Sequence, residues 1–130
     1  NKTLYVCDAL SSSVRSVQLR GELVQTVTGQ GMWQHGLADG NRSQALLQYP
    51  LALAADQEAQ VLWVADAGNG KLRRIRLASG QVSTVELARP LYGVAGLAVE
   101  SGVLWVADTE ACAVLRYDPH TGQCVDVPIG

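Results

Sequence analysis

The chain has 130 residues, a formal net charge of -2 and 48% hydrophobic residues. This length allows one ordinary domain, and this apolar content excludes an intrinsically disordered chain. The apolar runs are too short to cross a bilayer, and a sequence pI of about 5.6 argues against a nucleic-acid-binding protein, so we expect neither kind of partner.

In chain order, the first predicted element is a short strand that recurs twice. Leu4–Asp8, Leu62–Asp66 and Leu104–Asp108 each read aliphatic, aromatic, Val, small residue, Asp. The copies begin at residues 4, 62 and 104, so the last two lie 42 residues apart and the first interval carries an insertion. Self-similarity at such a period is the signature of a repeat architecture.

The segments around each copy repeat as well. After a polar turn, second strands are predicted at Val14–Leu19, Leu72–Leu77 and Val114–Asp118. After a glycine turn, third strands are predicted at Glu22–Thr28, Gln81–Leu87 and Gln123–Ile129. Apolar stretches at Leu51–Asp56 and Val94–Glu100 precede the second and third copies. Evenly spaced short strands joined by tight turns predict an all-β fold.

We predict an all-β chain, a β-propeller fragment of about three four-stranded antiparallel blades. Blade 1 covers residues 1–29 and lacks its first strand, blade 2 covers 50–87, blade 3 covers 93–130, and a long loop spans 30–49. The unbroken apolar run Val61–Ala65 is typical of a strand buried on both faces, as stacked blades require. A two-layer sandwich is the alternative, but it gives no reason for a repeat.

Three blades leave two apolar faces open, because a propeller needs about four to eight blades to close. Further blades come either from a longer parent chain or from a second copy of this chain. The missing first strand favours the parent chain, since a symmetric ring would repeat the defect, and a chain that opens on Asn1 rather than Met points the same way.

The segment Val64–Leu72 resembles the core of the NHL repeat, in which Asp66, Asn69 and Lys71 precede an aliphatic residue. The connection containing Gly36–Gly40 and Pro50–Ala54 resembles the segment that links NHL blades. The likeness is to NHL propellers behind a thioredoxin-like domain in longer proteins, and it implies a propeller that binds protein or RNA. Some relatives are lyases or lactonases with a central metal. Blade 1 departs from the pattern at Ser11 and Ser13, and blade 3 departs from it at Ala111 and Ala113.

Residues that recur in every copy are interpreted structurally. Asp8, Asp66 and Asp108 are expected to accept backbone N–H bonds in the turn that follows, with Asn69 and Gly70 as turn-formers. The aromatics of the three copies, Tyr5, Trp63 and Trp105, are expected to pack between blades. Cys7, Cys112 and Cys124 are expected to be buried thiols, because their neighbours are apolar and their spacing suits neither a disulfide framework nor zinc.

Candidate binding residues fall into two groups. Lys71, Arg73, Arg74 and Arg76 form the one dense basic cluster, which on one rim would hold an anionic partner, or else is a solvated strand edge. His35, Asp39 and Arg42 lie in the long loop with Met32 and Trp33, and long loops on rigid scaffolds often carry function. The predicted binding set is therefore His35, Asp39, Arg42, Asn69, Lys71, Arg73 and Arg74.

The predicted function is a non-enzymatic scaffold that docks a protein or peptide through rim loops, with no cofactor and no metal. Two alternatives stay open: a lyase- or lactonase-type enzyme with a central site, and an accessory propeller of a thioredoxin-like redox protein. The enzyme would need polar residues on the innermost strands, whereas Leu51–Asp56 and Val94–Glu100 are nearly all small or aliphatic. The unpaired cysteine count favours a reducing compartment, so we expect a cytoplasmic location.

Overall fold

A computed structural model of the chain describes residues 2–29 and 35–128. Across these residues eleven strands form three antiparallel sheets, of three, four and four strands, and no α-helix is present. The all-β class and the stack of blades are confirmed, and the first blade has three strands.

The strands follow one another in each sheet as antiparallel neighbours. Blade 1 contains β1 (Thr3–Asp8), β2 (Ser13–Gln18) and β3 (Leu23–Thr28). Blade 2 contains β4 (Pro50–Asp56), β5 (Val61–Asp66), β6 (Lys71–Arg76) and β7 (Val82–Val85). Blade 3 contains β8 (Val94–Glu100), β9 (Val103–Asp108), β10 (Ala113–Tyr117) and β11 (Cys124–Pro128). Single 3-10 turns at Ala67–Asn69 and Thr109–Ala111 join β5 to β6 and β9 to β10.

Strand ends differ from the predicted ones by small amounts. β2, β6 and β10 each begin one residue earlier than predicted, directly after a turn whose last residue has a left-handed backbone (φ 52° at Ser12, 64° at Gly70 and 52° at Cys112). β7 stops at Val85 rather than Leu87, because the chain there leaves the sheet and crosses to blade 3.

The core consists of two hydrophobic clusters, each sandwiched between neighbouring blades. Between blades 1 and 2 it contains Val14, Leu62, Val64, Ile75 and Val82, with Ala45 and Leu47 from the connection. Between blades 2 and 3 it contains Val61, Trp63, Ala65, Leu72, Val85, Leu91, Val94, Leu104, Val106, Leu115 and Tyr117. All six residues of β5 are buried, because successive side chains enter opposite clusters, as its unbroken apolar run predicted.

The two ends of the blades carry different connections. At one end lie the β1–β2, β5–β6 and β9–β10 turns together with the chain crossings from β3 to β4 and from β7 to β8; we call this end the connection rim. At the other end, the hairpin rim, lie the β4–β5 and β8–β9 hairpins and the turns that lead into β3, β7 and β11.

The outer faces of blades 1 and 3 are uncovered within the described residues. Leu4 and Val6 of β1 are 52% and 40% exposed, whereas Leu104 and Val106, at the same repeat positions of β9, are 0% exposed against blade 2. On blade 3 the opposite face leaves Trp105 partly exposed and Val127 45% exposed. Each of these faces corresponds to one side of the interface between neighbouring blades, but no blade packs on it within the described residues.

Candidate binding site on the connection rim

Arg73 of β6 is fully buried and fastens the connection to blade 2. One terminal nitrogen donates to the Leu46 carbonyl and to Oδ2 of Asp66, both at 2.8 Å. The other donates to the Ala38 carbonyl at 2.7 Å and to Oδ1 of Asp39 at 3.0 Å. With 0% of its side chain exposed, Arg73 has no surface for a partner, so its prediction as a binding residue is wrong.

Asp66 is the buried counterpart of Arg73. Its Oδ1 accepts the Gln48 backbone N–H at 2.7 Å. Its Oδ2 accepts hydrogen bonds from Arg73 at 2.8 Å and from the Asn69 amide at 2.7 Å. Burial raises the pKa of the Asp66 carboxyl above its ordinary value, against the opposing effect of these hydrogen bonds. The Asn69 amide also donates to the Gly36 carbonyl at 2.7 Å, so Asn69 links the turn to the connection as well as forming the turn.

The same aspartate is paired with an arginine in every blade, but the arginine comes from different places. Arg15 of β2 occupies the position of Arg73 and bonds Asp8 at 3.1 Å. In blade 3 that position is Leu115, and Arg89 from the preceding crossing replaces it, bonding Asp108 at 2.7 Å. An Asp followed seven residues later by Arg is visible in blades 1 and 2, whereas Arg89 had no repeat signal.

The backbone donors to the three carboxylates differ from the prediction in two blades. Asp8 takes a backbone hydrogen bond from Ser11 in its own turn, as predicted. Asp66 and Asp108 instead accept N–H groups from the crossings, Gln48 for the first and Tyr92 and Gly93 for the second. The prediction that the turn supplies these donors is wrong for blades 2 and 3, where the carboxylates tie one blade to the next.

Arg89 holds two carboxylates whose titration should be visible in protein stability. Burial raises the pKa of Asp108, but bonds from Gly93, Arg89 and Tyr92 outweigh it and keep that pKa below 3.8. The bidentate contact with Arg89, at 2.8 and 3.0 Å, lowers the pKa of Asp126 as well. A depressed carboxyl pKa stabilises the fold above the unfolded pKa, and that stabilisation is lost as the pH falls through the folded pKa.

We therefore expect the Arg89→Gln variant to be less stable than wild type near neutral pH and to approach wild-type stability in acid. Urea unfolding measured at steps from about pH 6 to about pH 2 checks this, because the difference between the two proteins should shrink at and below the ordinary carboxyl pKa of about 4. The exposed Arg42→Gln variant, which removes the same charge elsewhere, is the control. A gap between Arg89→Gln and wild type that stays constant across this range would contradict the assignment.

The predicted basic cluster does not converge on one surface. Side chains alternate across β6, so Arg74 lies on the face opposite Arg73, with its guanidinium 5.0 Å from the Trp63 ring centroid. Arg76 is exposed at the hairpin rim, whereas Lys71 lies at the connection rim beside a small recess of about 180 Å³ that Arg89 also lines. Partner binding by Lys71 and by Arg74 stays a prediction.

Two residues of the long connection belong to the core. Ala45 and Leu47 are 0% exposed between blades 1 and 2, and Gly40 pairs with Val82 along the outer edge of β7. Asp39 accepts hydrogen bonds from Arg73 and from the Thr84 hydroxyl, although 49% of its side chain is exposed. His35 and Arg42 are also exposed. Met32 and Trp33 lie outside the described residues.

An open recess of about 450 Å³ lies on the connection rim between blades 1 and 2. Its walls are Ala9, Leu10, Ser12, His35, Gln48, Tyr49 and Gly68. Leu10 is 72% and Tyr49 47% exposed, and Tyr49 has a left-handed backbone (φ 55°) while its N–H donates to the Ser12 hydroxyl. A strained aromatic at a recess is a common mark of a functional position.

Between blades 2 and 3 a side chain covers the corresponding position. Glu110 lies so close over Gly93 that a Cβ on this glycine would come within 2.0 Å of it. Gly68 stands at the repeat position of Glu110, which leaves the first site open. The recess therefore breaks the repeat. Neither Leu10 nor Tyr49 was among the predicted binding residues, because neither belongs to a polar motif in the sequence.

Two other expectations concern cysteines and metals. Cys112 is exposed, at the left-handed end of the β9–β10 turn, so its prediction as a buried thiol is wrong. Burial, and secondarily the nearby Asp66 charge, raise the pKa of Cys7 to about 11. The part of the chain that the structure describes holds no cluster of three His, Cys, Asp or Glu side chains suited to a metal ion. It also contains no helix long and apolar enough to span a membrane.

Comparison with known proteins gives relatives of much greater length. No family model matches the chain. It is 28% identical to Suppressor of Quenching 1, a chloroplastic protein of Arabidopsis thaliana, over 94% of this chain and 13% of that protein. It is 36% identical to NHL repeat-containing protein 2 of Bos taurus over 54% of this chain and 10% of that protein. The chain thus spans about a tenth of the length of these relatives.

Solved structures agree on the fold. A chain of a nidogen–laminin complex superposes with a TM-score of 0.73 at 15% identity, over 98% of this chain and 43% of that one. A structural genomics protein of unknown function from Bacteroides thetaiotaomicron superposes with a TM-score of 0.70 at 22% identity, over 82% of this chain and 30% of that one. At such identities the likeness concerns the arrangement of blades.

Proposed function

We propose that this chain, a segment of an NHL-repeat β-propeller, is a non-enzymatic scaffold that docks a protein or peptide partner on its connection rim. The observation that carries the proposal is the recess between blades 1 and 2, which is open at a position that the Glu110 side chain covers between blades 2 and 3. In a repeat protein, a position that departs from the repeat is the natural place for a specific contact.

The recess suits an apolar anchor side chain of the partner. Leu10 and Tyr49 offer apolar and aromatic surface, while Gln48, Ser12 and His35 offer hydrogen-bonding groups around it. Sites that combine an apolar wall with a few polar groups bind one side chain and orient its backbone. Support also comes from the nidogen–laminin complex, in which a similarly folded chain belongs to a protein–protein assembly.

The rim is held rigidly, which favours a binding role. Arg73 and Asp66 tie the crossing to blade 2 through buried, charge-assisted hydrogen bonds, so the recess walls are fixed before a partner arrives. A preformed site loses little conformational entropy on binding. Nothing comparable supports an enzyme: the innermost strands β4 and β8 present mainly small and aliphatic residues.

Further blades are part of the same proposal. The outer faces of blades 1 and 3 would be covered by additional blades, from a longer parent chain in preference to a second copy, because the relatives are far longer than this chain. A cytoplasmic location and an association with a thioredoxin-like domain stay predictions.

Selection of peptides from a random phage-displayed library on the wild-type chain tests the rim site. We expect the dominant peptides to lose affinity by about tenfold or more, equivalent to about 1.4 kcal/mol, in the Leu10→Ser variant. Fluorescence polarisation of the labelled peptides measures the change. Leu10 is 72% exposed, so its replacement should leave the fold intact.

Leu19→Ser provides a matched control, because Leu19 is also an exposed leucine of blade 1 (55%) but lies at the hairpin rim. Its affinities should stay within about twofold of wild type, as expected for a residue outside the contact. The proposal fails if the selected peptides bind Leu10→Ser as well as wild type, or if Leu19→Ser weakens them equally.

A further inference from the structure

Tyr92 and Glu110 form an exposed pair on the connection rim between blades 2 and 3. Tyr92 lies in the crossing that leads to β8 and is 62% exposed, and the guanidinium carbon of Arg89 lies over its ring at 5.4 Å from the ring centroid. Glu110, in the β9–β10 turn, packs its side chain on Gly93, the residue that follows Tyr92. The Glu110 carboxylate is therefore held on the crossing, next to Tyr92.

The Glu110 carboxylate is fixed in place but has no counter-ion. Among the described residues no hydrogen bond or ion pair engages it. Its methylene groups lie directly on Gly93, since a Cβ there would come within 2.0 Å of the Glu110 Cγ and 2.8 Å of its Cβ. A side chain already held in this way loses little conformational entropy when it binds a cation.

The charges around this pair favour a cation as well. Arg89 is already bound by Asp108 at 2.7 Å and by Asp126 at 2.8 and 3.0 Å. Lys71 and Glu86, which line the adjacent recess together with Arg89, carry opposite charges. Carboxylates therefore exceed cations on this part of the rim, and an approaching Lys or Arg side chain meets a net negative field.

An exposed aromatic ring beside an unpaired carboxylate is suited to a Lys or Arg side chain. The ring attracts a cation through its π face, and the carboxylate accepts charge-assisted hydrogen bonds from the same group. Each contact is modest at an exposed site, but both act on one side chain of the partner. A partner carboxylate at this position would be repelled.

The repeat places this pair one blade away from the recess between blades 1 and 2, which we call the rim recess. Tyr92 and Glu110 occupy the repeat positions of Gln48 and Gly68, two of its wall residues. Stacked sheets lie about 10 Å apart, and an extended chain advances about 3.3–3.6 Å per residue. One extended segment can therefore contact both places with residues about three positions apart.

We propose that Tyr92 and Glu110 bind a Lys or Arg side chain of the same partner segment whose apolar side chain enters the rim recess. This inference rests on the proposed docking function and specifies the chemistry of the partner. The segment is extended, and its apolar residue and its basic residue lie about three positions apart. The recess supplies the apolar contact, and the pair between blades 2 and 3 supplies selection for positive charge.

Peptides selected from a random phage-displayed library on the wild-type chain are the probe. Those that weaken in Leu10→Ser should carry Lys or Arg about three positions from an apolar residue, and should weaken by about threefold in Glu110→Gln, as for an exposed ion pair. Gln keeps the methylene groups that pack on Gly93, so this variant removes the charge alone. Glu58→Gln, in the exposed β4–β5 hairpin on the hairpin rim, removes the same charge and should change affinity by less than about 1.5-fold.

Replacing the basic residue of a selected peptide by Gln should abolish the difference between wild type and Glu110→Gln, because the two charges then no longer interact. Leu10-dependent peptides that lack a basic residue, or that bind Glu110→Gln as tightly as wild type, overturn this inference and leave the docking function standing. A selection that yields no peptide sensitive to Leu10→Ser overturns the docking function itself, and this inference with it.

Discussion

Replacing Arg73 by leucine is expected to destabilise the protein by about 3–5 kcal/mol, the cost of leaving a buried carboxylate without its partner. Asp66 is 0% exposed, and Arg73 also holds two carbonyls of the crossing that would lose their donors. Urea denaturation monitored by tryptophan fluorescence measures the change in the free energy of unfolding.

Two comparisons separate the buried pair from the loss of a charge. Arg76→Leu removes the same group from an exposed position of the same strand and should change stability by no more than about 0.5 kcal/mol. Adding Asp66→Leu to Arg73→Leu should recover part of the loss, because no buried charge is then left alone. An Arg73→Leu variant as stable as Arg76→Leu would show that the buried Arg73–Asp66 ion pair does not stabilise the fold.

Trp63→Ala is expected to cost about 3–5 kcal/mol, as for other large aromatics removed from a core. Trp63 is 3% exposed between blades 2 and 3, with its ring edge-to-face to Tyr117 at 5.9 Å. Trp105 occupies the same repeat position, and its ring contacts Arg116 as the Trp63 ring contacts Arg74. Trp105, however, lies on the uncovered face of blade 3. Trp105→Ala should therefore cost clearly less in this chain.

The pair of tryptophans measures what covering a blade face contributes. Both variants remove the same side chain at the same place in a blade, so the difference between them reports the neighbouring blade. Thermal or urea unfolding of the two variants alongside wild type gives that difference. Equal losses for Trp63→Ala and Trp105→Ala would mean that stacking of blades is not what stabilises this fold.

The repeat made the fold predictable from sequence. The three copies of aliphatic, aromatic, Val, small, Asp placed β1, β5 and β9, and the non-alternating run Val61–Ala65 indicated burial on both faces. These features depend on residues close together in the chain. The hairpins followed because short connections allow few geometries.

The site was less predictable, because its contacts join residues far apart in sequence. Arg73 and Arg74 look alike in a list of basic residues, but alternation along β6 buries one in an ion pair and stacks the other on Trp63. Arg89 takes over the role of Arg73 in blade 3 from a different segment. The recess at Tyr49 arises from the difference between Gly68 and Glu110, which acquires meaning only when the blades are superposed.

The central claim is that the outer faces of blades 1 and 3 are apolar surfaces that must pack against another molecule. The mass of the 130-residue chain in solution tests this claim most directly. We predict association that grows with protein concentration, with an average mass above 13.8 kDa that falls toward the single-chain value in the Val6→Glu variant. Analytical ultracentrifugation over a wide concentration range measures this. A cooperatively folded wild-type chain that stays at 13.8 kDa at every concentration would contradict the account.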